Sequence, residues 1–313
     1  MNKNTKGFIP VMLTPFTTDG KVDFNALTQL TEFYLRAGAS GLFANCLSSE
    51  MFELTEGERV AVTRHVVRVA AGAVPVVATA TFGGDIAAQA DLTKRIYDTG
   101  IDAAIAITNM LAAADDPDAR FEERVYQLLD QTGSIPFGFY ECPEPFKRVL
   151  SARQLGEFVA TGRVIYHKDT CLDIKLVRAK LAAASGASAF GLYDAYMVHA
   201  VESLKAGAAG LSCIQGNYYP ELVVWLCHHY DDEASASQVA QVQRFFDDHM
   251  DVMHGVYPTV AKYFLQKRGL AIATFTRRDV GVFDKRVKDR LDALDAAYQL
   301  LFRESGIRLE LNS

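Results

Sequence analysis

The chain has 313 residues, of which 50% are hydrophobic and 22% are charged. This balance excludes a disordered or collagen-like chain and predicts a globular protein with a sizeable core. The 32 Lys and Arg residues against 38 Asp and Glu residues give a formal net charge of -6. Because the sequence contains no dense basic block, we expect no nucleic-acid partner. The apolar runs are shorter than the roughly 18 residues of a membrane span, so we expect no membrane contact either.

The cysteine pattern and the first residues bear on the cellular compartment. The five cysteines are odd in number and form no C-x-x-C pair, which disfavours a disulfide framework and a zinc ribbon. They are better interpreted as small buried side chains in a reducing compartment. Because no signal peptide precedes the first strand-like run, we expect a cytoplasmic protein.

Short apolar runs alternate about eight times with longer segments of helical period. The pattern predicts strands, in chain order, at 8–13, 41–45, 75–81, 103–108, 136–140, 164–167, 187–193 and 210–214. It predicts intervening helices at 24–35, from the N-cap Thr55 onward, at 86–98, at 121–131 and at 152–160. Beyond residue 234 only helical segments follow, at 239–253, 259–267 and 283–302.

Uniformly apolar strands joined by helices indicate a parallel sheet that is covered on both faces. Eight such units in about 230 residues predict an α/β fold of the closed (β/α)8 type, the TIM barrel. A doubly wound sheet is the alternative, but its G-x-G-x-x-G fingerprint is missing after the first strand, which ends in Thr14-Pro15-Phe16. We therefore predict a catalytic barrel at 1–233 and a C-terminal helical extension of the same unit at 234–313.

Reactive groups of such a barrel lie at the C-terminal ends of its strands, where Lys168 is the most unusual residue. Burial lowers the pKa of a lysine and makes its neutral amine available as a nucleophile toward a carbonyl. The alternative is a structural ion pair with the adjacent Asp169. Tyr140 ends the preceding strand and could move protons beside Lys168, or its ring could simply pack in the barrel.

Other strand ends carry polar side chains that could bind a substrate. Ser48 and Ser49 could offer hydroxyl and backbone N–H groups to a carboxylate, although serines also stabilise turns. Thr14, Tyr193 and Asn217 are further candidate substrate-binding residues. The sequence has no H-E-x-x-H, G-x-S-x-G or P-loop motif, so we predict no metal and no organic cofactor.

Together these residues resemble the pyruvate-dependent class I aldolases typified by dihydrodipicolinate synthase and N-acetylneuraminate lyase. Apart from Tyr140 and Lys168, the motifs that carry the resemblance are at 9–16, 54–59, 207–210 and 258–262. The resemblance implies that Lys168 forms a Schiff base with pyruvate or another 2-oxo acid and that Tyr140 transfers protons. It also implies that Ser48 and Ser49 hold the keto acid's carboxylate, and that the protein is a homo-oligomer, either a tetramer or a dimer.

The chain also departs from the family's pattern. Leu47 stands where the synthase has the first threonine of its hydroxyl relay, and 108–111 lacks the synthase's paired tyrosines. The arginine that binds the second substrate's carboxylate is missing after Tyr140, so Lys147 or Arg148 is the candidate replacement. These losses disfavour dihydrodipicolinate synthesis, and we expect Leu47, with Met110, Leu111 and Phe146, to make the mouth more apolar.

Three functions remain open from the sequence. The first is an aldolase or lyase that cleaves or condenses a carbon–carbon bond through the lysine imine. The second is a dehydratase or lyase of 2-keto-3-deoxy sugar acids. The third is a keto-acid-binding protein without turnover, which the missing relay groups suggest.

Overall fold

The computed structural model describes residues 6–309, in which eight parallel strands form one sheet of order β1-β8-β7-β6-β5-β4-β3-β2. The strands are β1 Gly7–Phe8, β2 Leu42–Ala44, β3 Val76–Thr79, β4 Ala103–Ile107, β5 Phe137–Tyr140, β6 Val164–Asp169, β7 Gly191–Asp194 and β8 Gly210–Leu211. The first eight helices are α1 Phe24–Arg36, α2 Glu56–Ala70, α3 Ile86–Tyr97, α4 Asp118–Gln131, α5 Ala152–Ala160, α6 Ile174–Ala183, α7 Ala200–Lys205 and α8 Pro220–His229. Four more follow, α9 Ala236–Asp248, α10 Met250–His254, α11 Thr259–Lys267 and α12 Lys285–Ser305.

The sheet closes on itself between its first and second strands. Val11 pairs with Phe43 in a parallel bridge, the Met12 N–H donates to the Phe43 carbonyl at 3.1 Å, and the Phe43 N–H donates to the Pro10 carbonyl at 3.1 Å. The predicted TIM barrel is therefore confirmed. The first strand is shorter than the predicted 8–13 because Pro10 has no N–H to donate and interrupts the ladder.

Several element boundaries differ from the predictions. Residues 187–190 lie in a turn after α6, so the predicted start of β7 is wrong by four residues. The predicted β8 is also too long, because Ile214 already begins a 3-10 turn, Ile214–Asn217. The predicted helix at 239–253 is two helices that meet at His249, whose φ of -111° and ψ of 12° are not helical.

The barrel has two apolar regions. Side chains such as Val11, Phe43, Ile105 and Tyr166 fill its interior, and a larger core lies between the sheet and the helices. Gly138 of β5 makes room for the Tyr166 ring, since a Cβ there would lie 2.7 Å from the Tyr166 Cβ. Because side chains alternate along a strand, every second residue of a regular strand faces the barrel interior.

The segment that follows β8 and α8 is helical and packs against the barrel's helices. α9 contacts α7, α8 and α12, and the Tyr298 ring of α12 stacks on Tyr219 at 4.0 Å. The Tyr298 hydroxyl also donates to Glu221 of α8 at 2.6 Å. The division into a barrel at 1–233 and an extension at 234–313 stays a prediction. Within residues 6–309 no helix has the length and apolarity to cross a membrane.

The close approach of β1 and β8 predicts a specific sensitivity. Gly7 pairs with Gly210, and a Cβ at Gly210 would lie 1.7 Å from the Gly7 carbonyl oxygen. We expect Gly210→Ala to force the two strands apart and to lower the free energy of unfolding in urea by about 3 kcal/mol or more. Gly57→Ala in α2 is the control, because nothing lies within 4 Å of that position; it should be neutral or stabilise by about 0.5–1 kcal/mol. Equal stability of the two variants would contradict the prediction.

Candidate active site

Tyr140 and Lys168 lie side by side at the C-terminal ends of β5 and β6. They are register partners in the ladder, and the Lys168 Nζ lies 4.1 Å from the centroid of the Tyr140 ring. The same Nζ lies 5.9 Å from the centroid of Phe43. Only 5% of Lys168 is exposed, so its amine is held against two aromatic faces in a nearly dry interior.

An irregularity in the ladder sets the direction of these side chains. The register between β5 and β6 shifts at Phe137 and Gly138, so Val164 packs toward the helices whereas Tyr166 faces the barrel interior. From Tyr166 onward the strand alternates regularly, which places Lys168 inside and the residues on either side of it outside.

Behind the sheet, the outward-facing neighbours of Lys168 and Tyr140 form a buried ionic cluster. The Lys180 Nζ of α6 lies 2.5 Å from Glu141 Oε1 and 2.7 Å from Asp169 Oδ2. The His167 Nε2 lies 3.5 Å and 3.4 Å from the same two oxygens. All four side chains are fully buried. The alternative in which Asp169 pairs with Lys168 is therefore wrong, because the Asp169 carboxylate is bound to Lys180 on the other face of the sheet.

The cluster shifts the pKa values of Asp169 and Lys180 toward their charged forms. Burial alone would raise the pKa of Asp169, but the hydrogen bond and charge of His167 and the charge of Lys180 outweigh it and lower that pKa. Burial would likewise lower the pKa of Lys180, but the two carboxylates raise it. Glu141, His167 and Asp169 also have the geometry of a metal-binding group. The Lys180 ammonium already occupies the cation position between them, so this donor set does not fit a metal ion.

Lys168 itself has no such compensation. Within residues 6–309 it makes no salt bridge, and burial lowers its pKa below the ordinary value of 10.5. The thiols of Cys46, Cys142 and Cys213 lie near it, but burial raises the pKa of Cys142 to about 11 and that of Cys213 to about 12. The Cys142 and Cys213 thiols are therefore neutral at physiological pH and offer no counter-charge. The environment favours the neutral, nucleophilic amine.

Burial has the opposite consequence for the neighbouring phenol. It raises the pKa of Tyr140 well above 10, so the hydroxyl stays protonated at neutral pH. A protonated phenol beside a neutral amine can donate a proton to an oxygen that forms or leaves at the same carbon.

A cavity of about 460 Å³ opens in front of these residues. Its barrel side includes Leu47, Ser48, Tyr140, Lys168, Thr170, Tyr196 and Ser212. The rest of its wall includes residues that follow the barrel, Met250, Asp251, His254, Tyr257, Pro258 and Arg278. The C-terminal segment therefore completes the wall of the cavity.

The structure brings Ser48 together with Tyr140 and Lys168, but not Ser49 or Thr14. The Ser49 hydroxyl donates to the Met12 carbonyl at 2.6 Å and accepts from the Cys46 N–H at 3.1 Å, so it stabilises the local turn. Thr14 is buried outside the cavity lining, and within the described chain its hydroxyl has no hydrogen-bond partner. Binding of a carboxylate by these two hydroxyls stays a prediction to which their placement adds no support.

Tyr193 and Asn217 also lie behind the cavity wall. Tyr193 is the other register partner of Lys168 and stacks on Tyr166 with ring centroids 5.1 Å apart. Asn217 is fully buried, and its amide donates to the Val11 carbonyl at 3.0 Å. Neither residue lines the cavity, so direct contact of either with a substrate stays a prediction.

Of the two candidate replacements for the missing arginine, only Lys147 lines the cavity. Its Nζ donates to the Thr170 carbonyl at 2.7 Å. Arg148 lies outside, where its guanidinium bonds the carbonyls of Ala113 and Asp116 at 2.7 and 2.9 Å and the Asp118 carboxylate at 3.1 Å. This placement does not support substrate binding by Arg148. Of the residues expected to make the mouth apolar, Leu47 lines the cavity, whereas Met110, Leu111 and Phe146 do not.

The sequence did not point to Tyr257 or Arg278. The Tyr257 hydroxyl donates to Ser48 Oγ at 2.8 Å across 209 residues of sequence. The Arg278 Nη2 donates to both carboxylate oxygens of Glu144, at 3.0 and 3.1 Å. The one available signal was the family-like segment at 258–262, which directly follows Tyr257. It indicated a helix and gave no indication of what that helix approaches.

A TIM barrel that joins a buried lysine and a phenol at its mouth has the architecture of a class I aldolase or lyase, an enzyme that forms an imine on a lysine. The model of the Dihydrodipicolinate synthetase family matches residues 4–297. The chain belongs to this family, whose members are pyruvate-dependent Schiff-base aldolases and lyases. The resemblance found in the sequence is thus confirmed.

Curated relatives and solved structures agree with this assignment. The 4-hydroxy-tetrahydrodipicolinate synthase of Shewanella denitrificans is 26% identical over 277 residues, which span 87% of this chain and 91% of the relative. YagE, a prophage protein of the dihydrodipicolinic acid synthase family from E. coli K12, is similar in its complex with pyruvate, with a TM-score of 0.83, 22% identity and coverage of 95% and 98%. CdNal from Clostridium difficile, in complex with mannosamine, has a TM-score of 0.83, 17% identity and coverage of 94% and 99%. At these identities the two structures bear on the fold alone.

The buried cluster behind Lys168 predicts a large effect of removing its cation. Lys180→Met removes the ammonium group that pairs with two buried carboxylates. We therefore expect a loss of about 3–5 kcal/mol in the free energy of unfolding in urea. Lys175→Met on the exposed side of α6 is the matched control and should change stability by less than about 0.5 kcal/mol. A Lys180→Met variant as stable as this control would show that the cluster is not charged.

Proposed function

We propose that this chain makes or cleaves a carbon–carbon bond of pyruvate or another 2-oxo acid, with Lys168 as the imine-forming residue. The observation that carries the proposal is the buried Lys168 amine, which has no counter-ion within residues 6–309 and lies 4.1 Å from the Tyr140 ring at the mouth of the barrel. Family membership supports the reaction class.

In the proposed mechanism, the neutral Lys168 Nζ attacks the keto carbon and forms a carbon–nitrogen bond. One proton moves from the attacking nitrogen to the former keto oxygen and Tyr140 donates a second, so that this oxygen leaves as water and a protonated imine results. The imine withdraws electrons from the adjacent carbon, so a bond at that carbon can break or form there. The phenolate of Tyr140 then recovers a proton from the reacting groups.

The substrate's carboxylate is proposed to meet Ser48. This residue lines the same cavity as Lys168. No metal or organic cofactor takes part in the proposed reaction, because imine chemistry needs only the amine and a proton donor.

We do not propose dihydrodipicolinate synthesis, although curated relatives carry the name 4-hydroxy-tetrahydrodipicolinate synthase. Leu47 presents an apolar side chain to the cavity where the family's relay has a hydroxyl. Arg278 lines the wall, but its Nη2 already donates to both carboxylate oxygens of Glu144. A second substrate other than that of the synthase fits this wall better.

Cleavage or dehydration of a 2-keto-3-deoxy sugar acid is the second candidate. A cavity of about 460 Å³ has room for a longer chain than pyruvate. Thr170, Tyr196, Ser212 and His254 offer polar groups along its wall that could bond substrate hydroxyls. For either reaction, we propose a cytoplasmic homo-oligomer, a dimer or tetramer, by analogy with the family.

The first prediction of this proposal concerns the imine itself. Incubation with pyruvate and borohydride should add the pyruvyl mass to the peptide that contains Lys168, as measured by mass spectrometry. Lys168→Ala should abolish the adduct, whereas Lys175→Ala, which removes an exposed lysine, should retain it. No adduct at Lys168 with any 2-oxo acid or 2-keto-3-deoxy sugar acid would refute the proposal. An adduct without product from any of them would instead indicate a keto-acid-binding protein.

The second prediction concerns proton transfer by Tyr140. Tyr140→Phe keeps the ring beside Lys168 but removes the hydroxyl, so we expect adduct formation at saturating 2-oxo acid to slow by about 100-fold or more. Rapid-quench borohydride trapping would measure this rate. Tyr126→Phe, at an exposed tyrosine on α4, is the control and should match the unmodified protein. An unchanged rate in Tyr140→Phe would assign the proton transfer to another group.

A further inference from the structure

A continuous chain of hydrogen bonds runs from helix α1 through the barrel to the cavity. The Tyr34 hydroxyl donates to the Asn217 side-chain oxygen at 2.6 Å. The Asn217 side-chain nitrogen donates to the Tyr257 hydroxyl oxygen at 2.5 Å, and the Tyr257 hydroxyl donates to Ser48 Oγ at 2.8 Å. Of these four residues, Ser48 and Tyr257 line the cavity, whereas Tyr34 and Asn217 do not.

The direction of this chain is fixed by backbone groups at its inner end. The Asn217 amide nitrogen faces the Val11 carbonyl at 3.0 Å, and a carbonyl can only accept. The Tyr34 hydroxyl lies 2.6 Å from the Asn217 side-chain oxygen, and because an amide oxygen can only accept, Tyr34 is the donor. The side-chain amide can therefore adopt only one of its two orientations.

The fixed amide determines where the next two hydrogens point. Because Asn217 donates to the Tyr257 oxygen, the Tyr257 hydrogen goes to Ser48 Oγ. Ser48 thus accepts from Tyr257, and its own hydrogen is left for a partner in the cavity that Ser48 lines with Lys168. A hydroxyl that already accepts a hydrogen bond is a stronger donor, because hydrogen-bond chains are cooperative.

We propose that Tyr257 is a positioning residue that holds the Ser48 hydroxyl as a donor to the carboxylate of the bound 2-oxo acid. This inference rests on the proposed function and adds to it a specificity determinant supplied by the C-terminal segment. It explains why a phenol 209 residues away in sequence meets Ser48.

Tyr257 acts as a fixed donor and not as an acid or base in the reaction. Burial raises its pKa far above 10, although its hydrogen bonds with Ser48 and Asn217 oppose the shift. Its proton is also directed at Ser48 and not at Lys168. The proposal therefore predicts an effect on substrate affinity and charge selectivity, with little effect on the rate at saturation.

Tyr257→Phe removes the hydroxyl and keeps the ring. We expect the pyruvate concentration for half-maximal borohydride trapping to rise about 10-fold, because a hydrogen bond to a charged group weakens. The value for methyl pyruvate, which has no carboxylate charge, should stay within about 2-fold, and so should the maximal trapping rate. Loss of selectivity for pyruvate over its ester is the signature that a merely structural defect does not produce.

Two further variants complete the experiment. Tyr218→Phe is the matched control, since the buried Tyr218 hydroxyl donates to the Met253 carbonyl at 2.8 Å and lies outside the cavity lining; it should retain the selectivity. Ser48→Ala should lose the selectivity, and adding Tyr257→Phe to it should cause no further loss, because both changes remove one interaction. An additive loss in the double variant, or a Tyr257→Phe variant with unchanged selectivity, would overturn the inference.

Calorimetric titration of the Lys168→Ala protein with pyruvate separates this inference from the proposed function. Its readout is non-covalent binding, so it does not need the imine. If Tyr257→Phe weakens pyruvate binding to the Lys168→Ala protein, and the protein that retains Lys168 gives no adduct, the inference stands and the imine chemistry is refuted. If the protein that retains Lys168 gives the adduct, and pyruvate binds Lys168→Ala equally well with and without Tyr257→Phe, the imine chemistry stands and the inference is refuted. Absence of both adduct and binding would refute both.

Discussion

The neutralisation of two carboxylates by Lys180 is the interaction on which the character of the site depends. Glu141 and Asp169 follow Tyr140 and Lys168 directly in the sequence, and an unpaired carboxylate so close would hold Lys168 in its charged form. Strand alternation turns both carboxylates toward the helices, where the Lys180 Nζ binds them at 2.5 and 2.7 Å. The sheet thus separates a compensated charge cluster from an uncompensated amine, and only the amine faces the cavity.

A second buried ion pair fixes the C-terminal segment against the loop that follows β2. Glu50 accepts from the Lys262 Nζ at 2.8 Å and from the Arg277 N–H at 2.6 Å, and both Glu50 and Lys262 are fully buried. Ser48 lies two residues before Glu50, and Arg278 follows Arg277. Breaking a pair of this kind leaves a buried charge without a partner, so the loop and the segment keep one relative position. That position lets residues on either side of the pair share one cavity wall.

The sequence predicts the barrel from local pattern, because eight apolar runs with helical spacers define the fold and place Lys168 and Tyr140 at adjacent strand ends. Residue type alone left a structural role open for both residues, and the expectation of imine chemistry came from the family resemblance. Ser49 shows where this reasoning stops: its partner is the Met12 carbonyl, and main-chain groups have no signature in the sequence. Tyr257 could not be found for another reason, since only the packed C-terminal helices bring it to Ser48.

The position of hydroxyl groups around the cavity separates this chain from the synthase pattern that it resembles. Leu47 gives the cavity an apolar side chain next to Ser48, whereas the Tyr257 hydroxyl reaches Ser48 from the C-terminal segment. A hydroxyl at Leu47's position could relay protons to a reacting centre, but Tyr257 directs its proton into a fixed hydrogen bond. The wall therefore has a fixed hydrogen bond at Ser48 and an apolar surface at Leu47. A fragment that needs little proton transfer at that end is the one that such a wall accommodates.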